Sequence, residues 1–96
     1  GSLDTGRERM ERELAGYVAR GLLDPVWVSG QRDWSDPEPG DLLLFAIGRR
    51  GHLAVVSRTG YFLHILRHEA ACERRVDDPT YFSRLIGVWR PMEMEH

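Results

Sequence analysis

Residues 39–68, PGDLLLFAIGRRGHLAVVSRTGYFLHILRH, decide how this chain folds. Apolar, β-branched and aromatic residues recur there in short runs, broken by Gly-Arg-Arg-Gly at 48–51 and Arg-Thr-Gly at 58–60. Runs of that length between turn residues are the pattern of an antiparallel meander. The pattern predicts strands over Asp41–Ile47, His52–Ser57 and Tyr61–Arg67. Two more are expected at Ala71–Val76 and Leu85–Arg90, separated by Asp77-Asp78-Pro79 and a short helical turn around Tyr81–Arg84.

This meander fixes where its two histidines point, because side chains alternate faces along a strand and directly paired residues share a face. If Ser57 pairs with Tyr61 across the second turn, His64 falls opposite Ala54 and His52 opposite Leu66. Both histidines then lie on one face as diagonal neighbours, with roughly 7–8 Å between their backbone positions. A register one residue off would place them on opposite faces.

Upstream, Thr5-Gly6-Arg7-Glu8 has the form of a capping box, and a helix from about Gly6 to Arg20 follows. Met10, Leu14, Tyr17 and Val18 make one apolar stripe, Glu8/Arg12 and Arg9/Glu13 stand at i,i+4, and Gly21 is a stop signal. Between this helix and Pro39-Gly40, the prolines at 25 and 37, Gly30, several acidic residues and two tryptophans read as a connecting loop held down by Trp27 and Trp34. The expected organisation is a single domain over 1–96. Residues 1–2 resemble a cloning scar, and the helix lies within 4–22, the loop within 23–40 and the β-half within 41–91. The fold class is α+β: an N-terminal amphipathic helix packed on a small antiparallel, partly closed sheet of about five strands.

Composition narrows the function. A chain of 96 residues suits one core. Its thirteen arginines, with no lysine, are outweighed by fifteen acidic residues to a net charge of -2, so no overall positive field attracts nucleic acid. No apolar run is long enough to span a bilayer, which disfavours a membrane role. Cys72, the single cysteine, rules out an internal disulfide framework, and no cofactor motif is present.

The histidines admit three readings. A histidine at a strand end is commonly a hydrogen-bonded or partly exposed residue without chemistry. His64, His68 and Cys72 recur at i, i+4, i+8 and would share a helical face as zinc ligands, but the segment has the aromatic and branched content of a strand, where that spacing gathers no three-ligand cluster. No metal is therefore expected. The third reading treats His52 and His64 as parts of one catalytic site.

Pro39-Gly40-Asp41-Leu42 entering an apolar strand, Gly51-His52-Leu53-Ala54-Val55-Val56 in the next, and Gly60-Tyr61-Phe62-Leu63-His64 together resemble the C-terminal half of an NlpC/P60 domain, a papain-like cysteine peptidase. The resemblance covers about Pro37 to Pro91. With the arginine-rich helix ahead and Ile86-Gly87-Val88-Trp89-Arg90-Pro91 at the close, it is nearest to the phage-tail and gene-transfer-agent members. In that family a cysteine thiolate attacks an amide in peptidoglycan stem peptides. The resemblance implies that His52 is the base and His64 the residue that orients it. A weakly acidic thiol needs such an imidazole to become the thiolate, and the imidazole needs its other nitrogen held.

The sequence departs from the family at the nucleophile, which belongs to an Asp-Cys-x-Gly motif at a helix start upstream of the Pro-Gly-Asp-Leu turn. Cys72 lies beyond His64, in the wrong order, and reads as a structural residue. Either the chain begins inside the domain, which the charged first helix favours, or Asp4-Thr5-Gly6 stands where the cysteine was lost. A permuted group, similar to lecithin:retinol acyltransferase, places its cysteine later, beyond where this chain ends. The implied partners are a peptidoglycan peptide or phage tail proteins, with a homodimer through the uncovered half-domain surface as a further option, in a phage tail or bacterial envelope. Two other readings remain: a non-catalytic tail-assembly or interaction module on the same fold, and an unrelated small β-rich domain.

Overall fold

The computed structural model describes residues 6–31, 33–64 and 72–93. Helix α1 (Gly6–Ala19) leads into strand β1 (Leu23–Val28). Strands β2 (Leu42–Ile47), β3 (Arg50–Arg58), β4 (Tyr61–His64) and β5 (Glu73–Arg75) follow, then a one-turn helix α2 (Pro79–Phe82) and strand β6 (Leu85–Pro91). The strands form one sheet in the order β1-β6-β2-β3-β4-β5, antiparallel at every pairing. The fold is α+β as expected, with two corrections. Among the described residues the sheet has six strands and is open rather than partly closed, with β1 and β5 as its edges.

The extra strand is β1, which the sequence disguises as loop. Pro25 cannot donate to a ladder, and a bulge between Pro25 and Trp27 breaks the apolar alternation. An edge strand tolerates both, because only one of its sides is paired. Trp27 thus sits in a strand, and its ring meets Trp34 edge-on at 5.1 Å, while Trp34 in turn meets Phe82 at 5.3 Å.

Alternation divides the core between the two faces. Leu43, Phe45, Ala54, Val56, Phe62, Val76, Leu85 and Val88 are buried on one face, where Trp34 and Tyr81 pack over them. On the other, Leu44 and Trp89 are buried with Leu23 and with Leu14 of α1, flanked by Met10, Val18, Leu42 and Leu53. Phe45 and Phe62 are wholly buried with ring centres 5.1 Å apart, each contributing about 1.5–3 kcal/mol of transfer free energy.

α1 covers the second face with the narrow stripe its sequence offers. Met10, Leu14 and Val18 face the sheet, but Tyr17 stays 42% exposed under the guanidinium of Arg20 at 4.9 Å. The helix stops as Gly21 predicts: its φ is 76°, the Gly21 N–H donates to Val18 O and the Leu22 N–H to Tyr17 O, a Schellman arrangement that satisfies the last carbonyls. The expected capping box begins at Thr5, outside the described residues. On the helix surface Arg7 pairs with Glu11 at 3.2 Å.

The turn entering β2 is held by Asp41, the one buried charged residue among the described residues, at 1% exposure. Arg90 of β6 donates two hydrogen bonds to its carboxylate, at 2.9 and 3.0 Å, and the Glu38 N–H a third at 2.8 Å. Residues 38–41 are thereby fixed to β6, the neighbour of β2 in the sheet, which explains the acid in this turn without recourse to catalysis.

Candidate active site

The β3–β4 hairpin places the histidines. Gly60, at φ 86°, takes the left-handed turn position that a side chain would resist. Arg58 pairs with Tyr61 and Ser57 bulges out, so the expected Ser57–Tyr61 pair does not form. The bulge is confined to the turn end. Beyond it Val56 pairs with Phe62, Val55 with Leu63 and Ala54 with His64, as the sequence predicts. His52 pairs with Phe45 on its other side, while its expected neighbour Leu66 lies outside the described residues, as does the far part of the predicted Tyr61–Arg67 strand.

His52 and His64 therefore project from one face, the face opposite α1, with ring centres 6.4 Å apart and planes at 84°. Both are half-buried. Among the described residues neither imidazole has a hydrogen-bond partner, and no buried side-chain polar atom is left unsatisfied, so their nitrogens reach the surface. The pair is assembled, but among the described residues nothing holds either imidazole in a fixed tautomer.

His64 is seated by aromatic rings: Tyr81 at 5.0 Å and Phe62 at 5.2 Å. Tyr81 is delivered by α2, which Pro79 starts and Asp78 caps by accepting from the Thr80 N–H at 2.9 Å. On Tyr81 also lies the guanidinium of Arg74, 5.3 Å from the ring centre. The His64 pKa is lowered from its ordinary value, first by burial and then by the positive charges of Arg74 and His52. His64 is accordingly a neutral imidazole at neutral pH, able to donate from one nitrogen and accept at the other.

Sequence reading missed Tyr81 and Arg74. Tyr81 reaches the site through a single helical turn, and Arg74 through the pairing of β5, where it stands opposite Phe62.

Cys72 is exposed and directly precedes β5, so it is not the packed structural residue expected. β5 pairs Leu63 with Glu73, and one further step would set Cys72 opposite His64, beyond the last pair formed. No helix begins there to favour a thiolate. His68 lies outside the described residues. Among the described residues no group of three His, Cys, Asp or Glu side chains is placed to hold a metal ion.

Comparison with protein-family models, curated proteins and solved structures returns no match, so the assignment of function rests on the site itself.

Proposed function

We propose that this chain is the histidine-bearing half of an NlpC/P60-like peptidoglycan endopeptidase, a cysteine peptidase that hydrolyses amides in cell-wall stem peptides, associated with a phage tail. His52 serves as base and His64 as its support, and the nucleophilic thiol is supplied by sequence other than this chain. The observation that carries the reading is the shared face of His52 and His64, with their nitrogens at the surface and α1 packed on the opposite face of the sheet. A helix bearing a cysteine at its N-terminus would complete that face. Its thiol would pass its proton to His52, attack the amide carbon to give a thioester and release the amine, and water would then free the acid.

A second reading is favoured by the missing hydrogen bond between the imidazoles: the same fold retained as a non-catalytic tail-assembly or interaction module.

Digestion of purified stem-peptide fragments, followed by product mass, separates the two. The chain alone should produce no cleavage. The complete natural gene product should encode an upstream Asp-Cys-x-Gly and cleave, and His52→Ala in that product should abolish turnover. A natural product without an upstream cysteine would leave the module. Turnover by this chain alone that vanishes in Cys72→Ala would show that Cys72 is the nucleophile.

A further inference from the structure

Each of the three tyrosines carries a guanidinium of this chain: Arg20 over Tyr17 at 4.9 Å, Arg58 over Tyr61 at 3.9 Å and Arg74 over Tyr81 at 5.3 Å. One aromatic cluster has no such cation among the described residues. Trp34 meets Trp27 and Phe82 edge-on, and Phe82 stays 44% exposed. A depression of about 390 Å³ opens beside Trp34 and Phe82, with the Thr59-Gly60 turn in its wall. Neither histidine nor Tyr81 lines it: Tyr81 turns to His64, and the next residue of α2, Phe82, turns to Trp34. The depression is therefore separate from the histidine pair and independent of the peptidase reading.

Three charged residues line it. Arg75 donates to both carboxylate oxygens of Asp77, each at 3.0 Å, so those two charges offset one another. Asp36 supplies the remaining negative charge. Its Oδ1 accepts from the Trp34 indole N–H at 3.4 Å, and it makes no ion pair among the described residues. A carboxylate beside aromatic rings suits a planar cation. A guanidinium is weakly hydrated, stacks flat on an aromatic face and still directs its N–H donors to a carboxylate, and indole is its strongest aromatic partner. An ammonium is more strongly hydrated and cannot stack.

We propose that Trp34, Phe82 and Asp36 form a site for an arginine side chain presented by a partner polypeptide. The guanidinium plane lies against the aromatic rings and its N–H groups donate to the Asp36 carboxylate, supplying from outside the cation that each tyrosine draws from its own chain.

The test is an NMR titration that follows the Trp34 indole N–H signal of the full chain. N-acetyl-arginine methylamide is the probe, with the citrulline counterpart, uncharged but of the same shape, and the lysine counterpart beside it. The arginine probe should shift the Trp34 signal to saturation, the citrulline probe should bind roughly tenfold more weakly, and the lysine probe should fall between them. Asp36→Asn keeps an acceptor for the indole N–H and should weaken arginine binding about tenfold. Phe82→Leu, at an exposed position, should weaken it too, and Glu38→Gln should leave it unchanged. No shift with the arginine probe, an equal response to citrulline, or a response that survives Asp36→Asn would overturn the site. Binding that appears only in Arg32→Gln would show that the chain's own arginine fills it, which overturns the partner. Dilution of the chain without probe identifies the donor: a Trp34 signal that moves with concentration, and stops moving in Asp36→Asn, makes it a second copy, and a constant signal makes it a different protein.

Discussion

His52 and His64 meet edge to face with ring centres 6.4 Å apart because His64 pairs with Ala54 and not with either of its neighbours. The hairpin spends its irregularity at Ser57, next to the turn, so the register at the histidines is unaffected. The relationship is thus a property of the Arg58-Thr59-Gly60 turn as much as of the histidines themselves.

His64 should make stability depend on pH. Its folded pKa lies below the ordinary value of 6.5, chiefly through burial. The unfolded chain therefore binds the proton more readily. This contribution is complete above the unfolded pKa and is lost as pH falls from there through the lower folded pKa. In urea titrations across that window, His64→Gln should flatten the fall in midpoint, while Arg74→Gln should move the His64 midpoint upward by NMR. A His64 midpoint at or above the ordinary value would contradict the arrangement.

Asp41 should be the most sensitive charged position. Removing it breaks two hydrogen bonds from Arg90 and the one from the Glu38 N–H, inside a site that is closed to solvent on the Asp41 side. Arg90 is 38% exposed and can rehydrate, which moderates the loss. Asp41→Ala should cost about 2–3 kcal/mol, a fall in Tm of roughly 8–20 °C for a domain of this size. Calorimetry checks this, and a change within a degree or two would show that the carboxylate is not holding the turn.

Gly87 should resist enlargement. It lies in β6 between Val28 and Leu44, and an added Cβ would run into the six-membered ring of Trp89. Trp89 is buried under α1 and has little room to move. Gly87→Ala should destabilise by about 1–3 kcal/mol and perturb the tryptophan near-UV signal, leaving the histidine face intact because the ring lies on the other side of the sheet.

Much of this architecture was legible because period and punctuation agree in residues 39–64. Alternation at Leu43, Phe45, Ala54, Val56 and Phe62 defines one buried face, and the two turns define its register. Legibility failed where a strand is irregular or a contact is distant in sequence. β1 hides behind Pro25 and a bulge, which only its place at the edge explains. Tyr81 and Arg74 join His64 through packing between separate elements, for which no local spacing is a signal. Tyr17 fits the helical stripe by period, yet its ring stays largely exposed beneath the guanidinium of Arg20.

The thiol of Cys72 should react at once. It is exposed in the native chain, so a disulfide reagent such as DTNB should titrate it fully without denaturant, and Cys72→Ala should leave Tm unchanged within a degree or two. Slow labelling that accelerates only in urea would mean that the residue is covered.

A chelator distinguishes the remaining use of His64. In the peptidase reading His64 supports His52, whereas in the zinc reading it would act with His68 and Cys72. A structural metal stabilises by mass action, and chelation removes that stabilisation. No three-residue ligand group stands among the described residues, and His64 faces Tyr81, Phe62 and His52. Thermal unfolding with and without EDTA should therefore give the same midpoint, and His68→Ala and Cys72→Ala should not behave as equivalent lesions. A chelator-dependent drop of several degrees, absent from both variants, would transfer His64 to a metal site and leave His52 an ordinary strand residue.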